Sequence, residues 1–240
     1  KVTMLAEGGI MRITLALLFA AALAVPASAA DRNYSVTSFD RIRVEGPYAV
    51  SVTTSVAPFA RAKGALPAID GVSLRVEGRT LYVRADRSAS GGKDHQPAGP
   101  VTIAVGTHDL AHVSLSGSGS VAIDRVRGLD FTLLVSGAGS ASVAKAELDN
   151  LRVSVVGSAQ ATVAGKAKQF TANIRGAGVL DAAGLATKDA AVSALGPATV
   201  RANANNSAKI TASGTATVAI AGGGACTLKV SGSATVTGCP

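Results

Sequence analysis

The chain has 240 residues, a formal net charge of +8, 3% aromatic residues and no tryptophan. This length suffices for one domain with a substantial core, and the scarcity of aromatic side chains favours a thin core of Ala, Val and Ile. The Lys and Arg residues form no run and do not alternate with aromatic residues, so no nucleic-acid binding is predicted. The positive charge leaves two interpretations open, namely an anionic partner such as a membrane or glycan, or an ordinary solvated surface.

Residues 1–29 have the pattern of a secretory signal peptide. Met11 is a better initiator than Lys1, an apolar run extends from Ile13 to Val25, and small residues follow up to Ala29. A short basic region, a hydrophobic run and small residues at the cleavage point mark such peptides. We therefore expect residues 1–10 to be an upstream extension and residues 30–240 to form a single exported domain, located in the periplasm or outside the cell.

Residues 34–105 alternate apolar and polar positions in short runs that end at Gly or Pro, as in Ile42 and Val44 before Gly46. This alternation predicts strands joined by turns. The segment also contains bulky aromatic residues, so we expect it to be an irregular cap at one end of the fold. The polar stretch from Asp86 to Pro100 predicts an exposed loop.

Between residues 110 and 240, one glycine recurs at intervals of 18 to 20 residues. Apolar residues stand four positions before and four positions after it, as Val113 and Val121 do around the first of these glycines. Alternation on both sides of a glycine predicts a strand, a turn and a second strand, with glycine supplying the turn conformation. The predicted structural turn glycines are Gly117, Gly137, Gly157, Gly176, Gly196, Gly214 and Gly232.

A fixed period near 20 residues is typical of solenoids, because a single coil cannot bury its apolar face without a neighbour. We therefore predict an all-β fold in which each repeat forms one coil of a parallel β-helix, with residues 110–240 as its regular part.

Several stretches resemble the head GIN domain family of auto-transporter adhesins. The segment FDRIRVEGPYAVSVTT from Phe39 contains an F-x-x-I-x-V-x-G element, and the glycine turn recurs in VSGAGSASV from Val135. The resemblance covers residues 34–240. It implies that the β-helix is right-handed, that the glycine turns link two of its sheets, and that the protein has a suggested role in adhesion without established catalytic residues.

Cys226 and Cys239 are the two cysteines of the chain and flank Gly232. In an oxidising compartment such a pair favours a disulfide over a metal site, with two free thiols as the alternative. We expect the two strands around Gly232 to pair with each other, which would bring the cysteines to opposing positions and fasten the last coil.

Neither a metal site nor a cofactor is predicted. His108 and His112 are four residues apart in sequence, which on a strand separates them by about 13 Å, and His95 lies in the polar loop. A metal ion would need about three convergent ligands.

The sequence also predicts no catalytic residues. The carboxylates stand at different distances from their turn glycines, and no G-x-S-x-G motif is present. They are Asp124, Asp130, Glu147, Asp149 and Asp181. Because β-helices also include polysaccharide lyases and hydrolases, such an enzyme is the alternative hypothesis.

Thr199, Thr217 and Thr235 share one position, three residues after a turn glycine. A row of threonines on neighbouring coils is a feature of lattice-binding solenoids, although a solvated edge explains the row as well. Our main hypothesis is an exported, non-catalytic adhesin or a binding or structural module of the cell envelope. A cell-surface glycan or envelope component is the expected partner, and self-association through exposed sheet edges is a further hypothesis.

Overall fold

The computed structural model describes residues 30–86 and 99–239. Within these ranges the chain is a β-solenoid of about six turns, which confirms the predicted all-β fold. The predicted signal peptide, His95 and most of the predicted polar loop lie outside the described residues.

The strands of the regular coils are long because each continues through a bend and forms both sides of its coil. The described elements, in chain order, are β1 (Ala30–Tyr34), β2 (Arg41–Glu45), β3 (Ala49–Thr54), β4 (Phe59–Gly64), α1 (Leu66–Asp70), β5 (Val72–Glu77), β6 (Thr80–Ala85), β7 (Thr102–Thr107), β8 (His112–Gly117), β9 (Ser120–Gly137), β10 (Ser140–Gly157), β11 (Gln160–Arg175), β12 (Val179–Leu195), β13 (Thr199–Gly214), β14 (Thr217–Ala221), β15 (Ala225–Gly232) and β16 (Thr235–Thr237).

Each coil has two faces joined by two corners, and every regular coil pairs in parallel with the next. Val143, for example, lies beside Ile123 of the preceding coil and Val163 of the following one. The glycine corner contains a turn glycine and the two residues after it. The variable corner joins the faces on the other side of the coil, and comprises residues 124–130, 144–150, 164–169, 183–189, 203–207 and 221–225 in successive coils.

The repeat begins one coil earlier than the seven predicted glycines indicate. In β2 and β3, Glu45 lies beside Ser116 and Ala49 beside Ser120, in the register of the regular coils. Gly46 therefore occupies the glycine corner of a first coil and stacks on Gly117. Residues 55–111 separate this coil from the next in sequence, which hides the period.

The N-terminal end of the core is covered by residues 30–34, 55–86 and 99–111. Strands β7, β4 and β1 extend one face of the solenoid, and β6 and β5 extend the other. The helix α1 has Pro67 in its first turn and buries Ala68 and Ile69 in the core. Several of these strand pairs are antiparallel, so this end has the irregular capping structure expected from the sequence.

The core narrows towards the C-terminal end as the variable corners shorten. The inward position six residues before each turn glycine holds, in chain order, Phe131, Leu151, Phe170, Ala190, Ala208 and Cys226. The last two follow the shortest variable corners. The coil of Ala190 has a longer corner and fills the extra space with Leu185, which is fully buried. The two phenylalanines of this row follow corners of seven and six residues, and the smaller Ala208 and Cys226 follow corners of five.

The glycine corners require glycine for two reasons. The backbone of Gly157 has a φ of +90°, which side chains with a Cβ rarely adopt. A Cβ on Gly157 would also lie 2.7 Å from the carbonyl oxygen of Gly137 in the coil below. The corners can stack at the spacing of β-strands because neither glycine carries a side chain.

Candidate binding groove

A groove of about 400 Å³ runs across the variable corners of strands β10 to β13. It is lined by Glu147, Leu148, Asp149, Lys166, Ala167, Lys168, Ala186, Thr187, Lys188 and Asn205. The groove crosses several coils, so its shape depends on how neighbouring corners stack on one another.

The strand register arranges these side chains in rows. Leu148, Ala167 and Thr187 lie beside one another on successive coils and form the floor of the groove. All three are buried, at 6%, 6% and 2% exposure respectively. The residues before and after them in sequence point outward, because side chains alternate along a strand.

One row of outward residues contains Glu147, Lys166 and Ala186, and the other contains Asp149, Lys168 and Lys188. The groove therefore has a buried floor of small and apolar groups between two rims that carry charge.

Both carboxylates of the rims are held by cations. Glu147 accepts hydrogen bonds from Arg127 Nε at 2.7 Å and Lys145 Nζ at 3.1 Å. These hydrogen bonds, that of Lys145 first, lower the pKa of Glu147 below its ordinary value. Asp149 Oδ1 lies 2.8 Å from Lys168 Nζ.

Lys166 and Lys188 are exposed and make no ion pair with any residue in the described ranges. Since three cations already face the two rim carboxylates, the groove carries an excess of positive charge.

The end of the groove nearest the C-terminus is fixed by hydrogen bonds between neighbouring corners. Asp189 Oδ1 accepts hydrogen bonds from Ser207 Oγ at 2.6 Å and Asn206 Nδ2 at 2.7 Å. The hydrogen bond from Ser207, followed by that from Asn206, lowers the pKa of Asp189. Thr187 Oγ1 donates to the carbonyl oxygen of Asn203 at 2.5 Å. These bonds position the corner of β12 against that of β13.

The carboxylates considered as catalytic candidates do lie near the variable corners, but each is engaged. Asp124 accepts a hydrogen bond from the backbone N–H of Thr54 at 3.1 Å. Asp130 pairs with Arg152 at 3.5 Å, and Asp181 pairs with Arg201 at 3.6 Å. Glu147 and Asp149 are those that flank the groove.

The two described histidines lie at the N-terminal end of the solenoid. His112 is in β8, and its pKa is lowered by burial and, to a smaller extent, by the charge of Arg41. His108 lines a separate cavity of about 380 Å³ together with Asp40, which pairs with Arg79 at 2.6 Å. Across residues 30–86 and 99–239, no three His, Cys, Asp or Glu side chains are placed to hold a metal ion.

Thr199, Thr217 and Thr235 stack in register on β13, β14 and β16, as their shared position indicates. They lie on the face that follows the glycine corner, away from the groove residues. The row is short, because the preceding coils carry Gln160 and Val179 at this position.

Cys226 and Cys239 form a disulfide with a Cα–Cα distance of 5.7 Å. Their strands do not pair with each other, contrary to the geometry expected from the sequence: β15 pairs with β13, and β16 pairs with β14. The bond instead joins the two faces of the last coil, at the side where earlier coils have their variable corner.

Sequence reasoning did not find the groove, although a signal was present. The rows become visible when positions are counted backwards from the next turn glycine. Asp149, Lys168 and Lys188 each stand eight residues before it, and Glu147 and Lys166 stand ten before it. Counting forwards misaligns these positions, because the variable corners differ in length.

In the part of the chain that is described, no helix has the length and apolar character needed to cross a membrane. Among proteins with curated descriptions, no significant relative of the sequence is found.

Solved structures with the same fold include proteins from Bacteroides and Parabacteroides species. A putative adhesin from Bacteroides fragilis NCTC 9343 superposes with a TM-score of 0.73 at 18% identity, covering 88% of this chain and 94% of that chain. A putative lipid binding protein from Parabacteroides distasonis ATCC 8503 gives a TM-score of 0.70 at 19% identity, covering 87% and 95%. A putative adhesin from Parabacteroides merdae ATCC 43184 gives 0.61 at 18% identity, covering 87% and 95%. At these identities the likeness establishes the fold alone.

The sequence itself establishes the family. Residues 38–224 match the family described as "Putative auto-transporter adhesin, head GIN domain". This range begins just before Phe39, at the start of the F-x-x-I-x-V-x-G element, and includes six of the seven predicted turn glycines. The chain therefore belongs to the head GIN domain family.

Proposed function

We propose that the protein is an exported, non-catalytic binding module of the adhesin type, and that it contacts glycans or other envelope components through the groove on its variable corners. The observation that carries this proposal is the pair of exposed lysines, Lys166 and Lys188, beside a buried floor on a rigid stack of coils. Stacked strands hold the backbone of these residues at a fixed spacing, so the order that has to be gained on binding is confined to the lysine side chains.

Export is supported by the family, by the signal-peptide pattern of residues 1–29 and by the disulfide between Cys226 and Cys239. Disulfides persist mainly in oxidising compartments such as the periplasm and the cell exterior. We therefore place the protein in the periplasm or at the cell surface.

A non-catalytic role is supported by the state of the rim carboxylates. Glycoside hydrolysis requires one carboxyl group with a raised pKa to protonate the leaving oxygen. Glu147 has a lowered pKa and is held by two cations, and Asp149 is paired with Lys168. Both carboxylates are paired with cations, and the lowered pKa of Glu147 does not suit the role of proton donor.

The test is a glycan array probed with the purified exported protein, followed by incubation of each bound glycan and analysis of its chain length. Retention of a glycan without shortening supports the proposal. Shortening or unsaturated products that disappear in Asp149→Asn would establish the polysaccharide-active enzyme instead. A protein that retains no glycan and no envelope component would refute the binding role.

A further inference from the structure

The charges around the groove indicate the chemical class of its ligand. The groove is faced by the acids Glu147 and Asp149 and by the lysines Lys166, Lys168 and Lys188. Glu147 forms ion pairs with Arg127 and Lys145, and Asp149 forms one with Lys168. Lys166 and Lys188 are left to bind an external anion.

One further carboxylate lies close to Lys188. Asp189 follows it in sequence, and its Oδ1 is directed to Ser207 and Asn206 of the next coil. The charge of Asp189 weakens the field of Lys188, but it does not pair with Lys188, whose ammonium group remains exposed. The local balance therefore still favours an anionic ligand.

The two lysines stand at diagonal positions of the groove. Lys166 stands in the rim of Glu147, and Lys188 stands in the opposite rim and one coil further along. Neighbouring strands are about 4.8 Å apart, and the floor row lies between the rims. A ligand with two separated anionic groups can engage each lysine from its own rim and span the floor row.

The floor between the lysines offers small, recessed contacts. Ala167 and Thr187 lie there, and the lysines border it. The face of a pyranose ring, which presents C–H groups, fits such a floor. None of the ten lining residues is aromatic, so stacking on a ring cannot supply the affinity and the charges must.

We propose that the groove binds an acidic polysaccharide, with Lys166 and Lys188 each facing a carboxylate on a different sugar residue and the intervening ring on the floor. This inference rests on the proposed binding function. A lipid surface fits the groove less well, because the apolar floor is recessed and charged rims stand in front of it. The neighbouring side chain suited to enter a membrane is Leu129, which is 70% exposed and lies one coil before Asp149 in the same row.

The experiment is calorimetric titration of the exported protein with polygalacturonate oligosaccharides, with their methyl esters as the uncharged control. We expect binding of the acid form, loss of at least tenfold in affinity with the esters, and a similar loss in the Lys166→Gln/Lys188→Gln double variant. Higher salt should weaken binding of the acid form, since exposed charges are screened. Thermal melting of the variant should match that of the unchanged protein.

The matched control is Lys63→Gln/Lys229→Gln, which removes the same charge from two exposed lysines outside the groove. Equal weakening by both double variants would overturn the inference, because it would show binding to net charge alone.

Two further outcomes would also overturn it. Binding of neutral glycans with no binding of polygalacturonate would refute the ligand class while the proposed binding function survives. Sedimentation with phosphatidylglycerol vesicles that is lost in Leu129→Ala, without binding of polygalacturonate, would assign the surface to lipid.

Discussion

Gly157 stacks on Gly137 so closely that a Cβ on Gly157 would lie 2.7 Å from the Gly137 carbonyl oxygen. Its φ of +90° is unfavourable for other residues as well. We expect Gly157→Val to lower the free energy of unfolding by about 3 kcal/mol or more, since strain and a backbone clash add. Ser158→Ala, at the exposed next position, should change it by less than about 0.5 kcal/mol. Urea denaturation measures both, and equal effects would contradict the stacking of the glycine corners.

The narrowing of the core can be tested with opposite substitutions at equivalent positions. Phe170→Ala should destabilise by about 3–5 kcal/mol because it leaves a cavity in a wide coil. Ala208→Phe should also destabilise, by about 1–3 kcal/mol or more, because the coil with the short corner has no room for a ring. Thermal and urea unfolding measure the two changes. A neutral Ala208→Phe would show that corner length does not set the core width.

The disulfide should stabilise the end of the solenoid in particular. Opening the loop between Cys226 and Cys239 removes about 3 kcal/mol in the chain-entropy model. In Cys226→Ser/Cys239→Ser, hydrogen exchange should accelerate first in residues 225–239 and hardly change near Gly117, because each coil contacts mainly its neighbours. A uniform acceleration along the chain would contradict this local effect. Ready alkylation of both cysteines in the native exported protein would contradict both the bond and the assigned compartment.

The hydrogen bonds to Glu147 should make the groove sensitive to acid. Its pKa in the folded state is lowered by Lys145 and Arg127 from an ordinary value of 4.5. A lowered pKa contributes stability that is present above the unfolded value and is lost as the pH falls through the folded value. We expect carbon-13 NMR to show Glu147 titrating below pH 4.5, and Lys145→Met to move the midpoint upward. A midpoint at the ordinary value in the unchanged protein would refute these pairings in solution.

The regular coils were predictable from sequence because the contact that defines them repeats at each turn. Every glycine corner stacks on the one below it, so glycine returns at a nearly fixed interval. The first coil was not recognised, because residues 55–111 separate Gly46 from Gly117 although the two glycines are adjacent in space. A period in sequence reveals a spatial repeat only while the chain does not leave the stack.

The groove was harder to predict because it depends on the variable corners. Lys166 and Lys188 stand at different distances from the glycines that precede them. Their places on neighbouring coils become clear only when the coils are aligned by the strand pairing that follows each variable corner. The disulfide illustrates the same limit. A bond between the two cysteines could be predicted from the composition and the expected compartment. That this bond joins the two faces of a coil, and not two paired strands, is visible only from the path of the last coil.

The division of each coil into a glycine corner and a variable corner separates two requirements, stable stacking and recognition, that many folds impose on the same residues. The stacked glycines, such as Gly137 and Gly157, keep the coils in register whatever happens on the other side. Corners of different length occur on the same stack of glycines, as residues 183–189 and the shorter corners of residues 203–207 and 221–225 show. A lineage carrying this fold can therefore change what it recognises by editing one edge of the molecule, while its folding signal stays on the other.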